Sequence, residues 1–291
     1  MSLNPLAWFV NREKQYLGFQ KMLAGETSRR IMVIQAPADM GKTWLIQRMR
    51  AHCQENDNPV MHVSFADRRA YDYLSLVRLG RDQMGQEQFN SLTQTINSLT
   101  QTNITLSTGA GAGGVNISQI ESSNVSVGGD VAGGDVIKDN QFFIQTDSDV
   151  SRRAAEIKIN DAFFTCLQGL LPASPIVFLF DAFENVTEEA DQWLREHLLP
   201  RMADGLLEPA RLIIAGREAP ALPESVRPLV AATGLELFTE EHVREYILEK
   251  RMLDDLDLPT LFRTSGGYPG LLAKMADVAA MEGAEEDDEW L

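Results

Sequence analysis

Four apolar residues, Ile31-Met32-Val33-Ile34, run through Gln35 into Ala36-Pro37-Ala38-Asp39-Met40-Gly41-Lys42-Thr43, and helical spacing begins at once with Trp44, Leu45, Ile46 and Met49. A β-branched apolar run of this length suits a strand buried on both faces. A loop that leaves such a strand and opens a helix presents unpaired backbone N–H groups at the positive helix end, which is an anion site. Gly41 lets the backbone approach a phosphate, Lys42 reaches the outer phosphates, and the Thr43 hydroxyl offers a magnesium ligand. The general pattern for this chemistry is Gly-x-x-x-x-Gly-Lys-[Ser/Thr]; here Ala36 replaces the first glycine and Pro37 stiffens the entry. A bare Gly-Lys-Thr also occurs by chance at helix starts, so the weight lies in its place between strand and helix. The expected cradle comprises Ala38, Asp39, Met40, Gly41, Lys42, Thr43 and Trp44.

The flanking pattern repeats the strand–loop–helix grammar of a parallel sheet. Arg12 to Leu23 has helical spacing, and Val60 to Phe65 reads as a second strand. Further on, Ile176 to Asp181 and Arg211 to Arg217 are buried-strand patterns, with Gly234 to Leu237 as a candidate last strand. Helices are predicted over 151–171, 188–202, 240–251, 260–264 and 271–281.

Residues 91–145 have a different texture. A tandem repeat, Ser91-Leu92-Thr93-Gln94-Thr95-Ile96-Asn97 followed by Ser98-Leu99-Thr100-Gln101-Thr102-Asn103-Ile104, gives way to Gly-rich turns between short β-branched pieces, and no Lys or Arg occurs from Asp82 to Ile137. Two readings stay open: a flexible Gly/Ser linker, or stacked short strands whose edges and low charge let copies of the chain associate. The expected organisation is 1–90 and 146–237 as two halves of one α/β domain, 91–145 as a β insert, 238–282 as a helical subdomain and 283–291 as an acidic tail.

With 291 residues, 44% of them hydrophobic, the chain can bury a sizeable core. A formal charge of -16 argues against a general nucleic-acid binder, which needs a basic face. Part of that charge is the run from Glu282 to Glu289, a solvated end or a docking tail. No transmembrane run or signal-peptide pattern is visible, and the two cysteines, Cys53 and Cys166, read as free thiols; a cytoplasmic protein is expected.

Asp181 ends an apolar strand at the edge where open parallel sheets bind ligands, and an acid there can hold magnesium through water. Glu184, three residues on, is placed to orient or deprotonate an attacking water, or merely to cap the next turn. Arg217 ends the following strand on the same side. It can stabilise charge on a transferring phosphoryl group, or form an ion pair with Glu218 or another acid. Lys42, Asp181, Glu184 and Arg217 are thus the candidate catalytic residues, with Thr43 and Asp181 as metal ligands.

At this point the chain resembles the STAND class of signalling P-loop NTPases, relatives of the AAA+ ATPases. Phe9-Val10-Asn11-Arg12-Glu13 resembles its N-terminal motif, with Asn11 where glycine is usual, and implies Val10 and Arg12 near adenine and ribose. Ala36 to Thr43 is similar to its Walker A, Phe178 to Glu184 to its Walker B, and Ala215-Gly216-Arg217 to the sensor strand whose Arg reads the γ-phosphate. Gly267-Tyr268-Pro269 resembles the Gly-x-Pro motif, which implies Pro269 on the adenine. Val127 to Asp135 is similar to Gly-Gly-Asp-Val-x-Gly repeats of some bacterial STAND-associated proteins. The resemblance implies a P-loop NTPase sheet flanked by helices, ATP or ADP with Mg2+ as cofactors, slow hydrolysis coupled to self-assembly or partner binding, and a role in bacterial defence. The class normally continues into a winged-helix domain and sensor repeats, which this sequence does not reach; either the chain is truncated or it is a short switch, for which a separate effector or sensor is the expected partner, besides a homo-oligomer built through 91–145. A nucleotide-bound scaffold with little catalysis is the competing reading.

Overall fold

The computed structural model describes residues 8–67, 71–102, 142–144, 149–171 and 174–288. Five strands form one parallel sheet: β1 (Ile31–Gln35), β2 (Val60–Ser64), β5 (Val177–Asp181), β6 (Arg211–Gly216) and β7 (Val230–Gly234), in the order β2-β5-β6-β1-β7. Strands β5 and β6 are buried at every residue and β1 at all but Gln35. Each buried Val, Leu, Ile or Phe contributes about 1.5–3 kcal/mol relative to exposure, which is why these runs settle as central strands.

Helices α1 (Glu13–Leu23) and α2 (Lys42–Glu55) cover one face, with Phe19, Met22, Leu45, Ile46 and Met49 packed on Ile34, Leu179 and Ile213. The remaining helices of this body are α3 (Tyr73–Met84), α6 (Glu188–Trp193), α7 (Leu199–Ala203), α8 (Glu240–Arg244), α9 (Leu258–Ser265) and α10 (Pro269–Asp288). A π-helical stretch, Leu194–Leu198, joins α6 to α7, and another, Glu245–Lys250, extends α8. Val243, Ile247, Leu261, Leu272 and Ala276 form a second core among the C-terminal helices, and Val10 packs into it.

The chain divides into two compact units, residues 1–90 with 160–291, and residues 91–159. The second holds most of α4 (Asn90–Leu99), the antiparallel pair β3 (Thr100–Thr102) and β4 (Phe142–Ile144), and the first half of α5 (Asp149–Leu170).

Three sequence expectations need correcting. The last strand is Val230–Gly234 rather than 234–237; it is a half-exposed edge strand of small residues, without the apolar run that marks a central one. Residues 91–99 of the tandem repeat are helical, because Leu92 and Ile96 fall four apart and are buried together on one helix face. The last helix runs to Asp288 instead of stopping at Met281, carried by Ala, Met and Glu, which favour helix. The remaining short β-branched pieces and the Gly-Gly-Asp-Val repeat lie outside the described residues, as does the end of the acidic tail.

Candidate functional site

Parallel pairing puts the C-terminal ends of all five strands on one rim. Gln35 lies opposite Gly216, and Ser64 opposite Asp181. The loops leaving β1, β5 and β6 therefore emerge side by side, although β6 separates β1 from β5.

The loop after β1 begins by extending the ladder: the Ala36 N–H donates to the Gly216 carbonyl at 3.1 Å. Ala36 is 3% exposed and adopts no positive φ, so alanine serves where the general pattern has glycine. Gly41, at φ 83°, does need glycine's freedom; it caps α2. The Lys42 ammonium donates to the carbonyls of Ala36 (2.8 Å) and Pro37 (2.6 Å), lying across its own loop. Burial lowers its pKa, while Glu184 and Asp181 pull the other way.

Asp181 is 1% exposed. Burial raises its pKa, opposed by the Thr43 hydroxyl, the Ala182 N–H and Lys42. The Ala182 N–H donates to Oδ1 at 2.8 Å. A hydroxyl from the start of α2 and a carboxylate from the end of β5 thus lie near enough, on either side of β6, for one to affect the charge of the other. Both are hard oxygen donors suited to magnesium, which is typically held by one or two carboxylates together with waters and substrate phosphates. Among the described residues no cluster of three or more His, Cys, Asp or Glu could hold a metal; a hydroxyl and one carboxylate suit magnesium only together with waters and phosphate oxygens.

Glu184 sits in the short turn Phe183–Asn185, entered through Ala182 at φ 54°. Its Oε2 accepts the Arg217 backbone N–H at 3.0 Å, and its Oε1 lies 3.0 Å from Arg217 Nε. Of the readings open for Arg217, an ion pair is what forms, and its partner is the other candidate catalytic group rather than Glu218. The arginine side chain is 62% exposed and the glutamate's 17%.

Beside the loop is a cavity walled by Phe9, Val10 and Arg12 before α1, by Met40, Gly41 and Trp44, and by Phe238, Pro269 and neighbours in the C-terminal helices. Arg12 is buried at φ 109°, with its guanidinium donating to the Met40 carbonyl at 2.9 Å and lying 5.4 Å from the Phe238 ring. Burial lowers its pKa. Asn11, where the resemblance expects glycine, takes φ 55° and accepts the Arg12 N–H on its own side chain at 2.7 Å; asparagine tolerates this backbone region for that reason. Pro269 opens α10, and a Cβ on Gly41 would lie 3.9 Å from its Cβ. The next residue fastens helix to loop: the Gly270 N–H donates to the Asp39 carbonyl at 2.8 Å, and Lys274 Nζ lies 3.4 Å from Asp39 Oδ1. Gly267, at φ 75°, leaves no room for a side chain, since a Cβ would meet the Phe238 carbonyl at 2.5 Å. Ala38 is exposed on the loop.

The structure thus brings Lys42, Thr43, Asp181, Glu184 and Arg217 to one rim, and gathers Val10, Arg12, Met40, Gly41, Trp44 and Pro269 around one cavity. Sequence reasoning missed Trp8, Phe238, Tyr246, Arg251, Ala273 and Asp277, which also line it. Trp8 beside Phe9 was a readable signal; the others come from elements whose packing no local pattern announces.

No family model matches the chain, and no curated protein matches its sequence. Among solved structures, a STAND protein with a tetratricopeptide repeat sensor from Pyrococcus horikoshii is 13% identical at a TM-score of 0.44, over 90% of this chain and 28% of that one. The RuvB Holliday junction branch migration motor of Thermotoga maritima is 11% identical at 0.43, covering 92% and 61%. The Aeropyrum pernix ORC1 protein, solved in complex with DNA, is 11% identical at 0.48, covering 95% and 61%. The chain therefore spans less than two thirds of each of these proteins. Its own strand order and its strand–loop–helix turn give an α/β fold of the P-loop NTPase kind: a five-stranded parallel sheet flanked by helices.

Proposed function

We propose that the chain is a STAND-type, AAA+-related ATP-binding switch that hydrolyses ATP slowly and so controls self-assembly or the binding of a partner, in a setting such as bacterial defence. The observation that carries the reading is the gathering of the Thr43 hydroxyl, the buried Asp181 carboxylate and the Lys42 ammonium on one rim of the sheet, near enough to perturb one another's charge. This set has a narrow chemical use: a hydroxyl and a carboxylate to hold magnesium, and an ammonium for the phosphates. Bound magnesium would neutralise charge on the phosphates. The chain's own residues do the rest. Backbone N–H groups at Gly41 and the start of α2 bind phosphate, and Val10, Arg12, Trp44 and Pro269 enclose the nucleoside. Glu184 takes the proton of an attacking water and Arg217 faces the developing negative charge.

The Glu184–Arg217 pair also favours a competing reading, a nucleotide-bound scaffold with little catalysis, since both glutamate oxygens are engaged by one arginine. Assembly through residues 91–145 belongs to either reading. Calorimetric ATP binding and magnesium-dependent phosphate release separate them. Expected are slow release by the wild type, binding weakened at least about tenfold in Lys42→Ala, and unchanged binding with release abolished in Glu184→Gln. Binding without measurable release in the wild type would favour the scaffold, and full turnover in Lys42→Ala would refute the switch. Light scattering with and without residues 91–145 tests the assembly role; a deletion that stays as large as the wild type removes it.

A further inference from the structure

The cavity beside the loop has a charged end that the proposed chemistry does not use. Arg251 lines it with its side chain only 6% exposed. Three contacts fix the guanidinium: Nη2 donates to Asp277 Oδ1 at 2.7 Å, Nη1 donates to the Tyr246 hydroxyl at 3.1 Å, and the group lies 4.1 Å over the Trp8 ring. The π-helical stretch Glu245–Lys250 closes with the Arg251 N–H donating to the Tyr246 carbonyl at 3.0 Å, which puts both side chains on the cavity wall. Two polar atoms of this cluster make no hydrogen bond among the described residues: Arg251 Nε, a donor, and Asp277 Oδ2, an acceptor. The pair is neutral as a whole, so it suits an uncharged polar edge better than another phosphate.

We infer that Arg251 and Asp277 read the base edge in this cavity and select a 6-aminopurine over a 6-oxopurine. The inference rests on the reading that the cavity takes a purine nucleotide. The 6-aminopurine edge offers a donor at N6 and an acceptor at N1, the complement of a carboxylate oxygen beside a guanidinium N–H. The 6-oxopurine edge reverses both, so acceptor meets acceptor and donor meets donor. Two mismatched groups in a partly enclosed site cost a factor of about ten to a hundred. The lower figure applies because the Asp277 side chain is 60% exposed and water can screen it.

The test is calorimetric binding of ATP, GTP and inosine triphosphate to the full chain with magnesium. Inosine triphosphate separates two causes of discrimination, since it carries the 6-oxo group without guanine's 2-amino group. Expected is ATP binding about tenfold tighter than either of the others, with inosine triphosphate as weak as GTP. In Asp277→Asn, whose amide can present either face, the preference collapses to within about threefold; an unchanged melting temperature of the unliganded variant shows that the fold is kept. Arg251→Gln gives a second reading of the same ratio. Inosine triphosphate binding as tightly as ATP, or an undiminished preference in Asp277→Asn, overturns the inference. Equal binding of all three by the wild type overturns it while leaving the nucleotide reading standing. A wild type that binds none of them overturns both.

Discussion

Replacing Gly270 by alanine tests whether the loop after β1 and α10 are fastened as closely as the geometry implies. An alanine Cβ would lie 2.7 Å from Asp39 Oδ1, 2.8 Å from Asp39 Cβ and 3.0 Å from Asp39 Cα. The last two atoms belong to the loop itself, so no flexible side-chain tip can swing away. Overpacking of this kind costs about 1–3 kcal/mol. Separating helix from loop also strains the Gly270–Asp39 backbone hydrogen bond, which is worth about 1 kcal/mol. Against this, alanine gains up to about 1 kcal/mol in helix propensity, and less than that in a first turn. The net is a loss of about 1–3 kcal/mol, or roughly 2–10 °C in Tm for a body of about this size. Differential scanning calorimetry of the variant measures it, with Gly169→Ala in α5 as the control. A Cβ there meets nothing within 4 Å, so that variant should hold or slightly gain stability. ATP binding by Gly270→Ala should weaken as well, because the loop is displaced. A Gly270→Ala protein that melts at or above the wild type would refute the fastening.

Two further outcomes follow from buried titratable groups. Burial raises the Asp181 pKa, so between the ordinary carboxylate value of about 3.9 and its higher folded value the native state binds more protons than the unfolded one; stability from this group is full below that window and lost as pH rises through it. Asp181→Asn should therefore gain in urea midpoint relative to the wild type as pH rises from 4 to 8, and a wild type that gains on the variant over that range contradicts the assignment. The Cys53 thiol is fully buried and pushed up to about 12 by desolvation, so iodoacetamide at pH 8 should leave it intact in the folded protein and modify it in urea; peptide mass mapping decides, and rapid native alkylation would disprove its burial.

The strand–loop–helix turn was legible because its signal is local: the apolar strand, the glycine and the helix start are contiguous in Ile31 to Met49. Asp181 was legible for the same reason, as an acid closing an apolar run. Arg217 was legible as a cation at a strand end, but its partner was not, since the Glu184 contact depends on β5 and β6 being neighbours in register. The edge strand Val230–Gly234 escaped because Val-Ala-Ala-Thr-Gly is neither strongly apolar nor alternating; its place is set by pairing with β1. Helix 90–99 was hidden by a polar repeat whose Leu92 and Ile96 spacing is short. Arg251 and Asp277 lie 26 residues apart on separate helical elements, and only tertiary packing brings them together.

The π-helical stretch before Arg251 has a consequence for how such a chain tolerates change in length. Its i to i+5 closure holds one residue more than an α-turn. Deleting one residue among 247–250 would turn that closure into an ordinary i to i+4 bond, with the Arg251 N–H still meeting the Tyr246 carbonyl. Arg251 would then keep its place on the cavity wall, with Tyr246 at the other end of the shortened turn. Exchanges of one exposed residue for another in that stretch should pass almost unnoticed, and the loss of one residue there should be tolerated better than in a regular helix, where the same deletion rotates everything beyond it by about 100°.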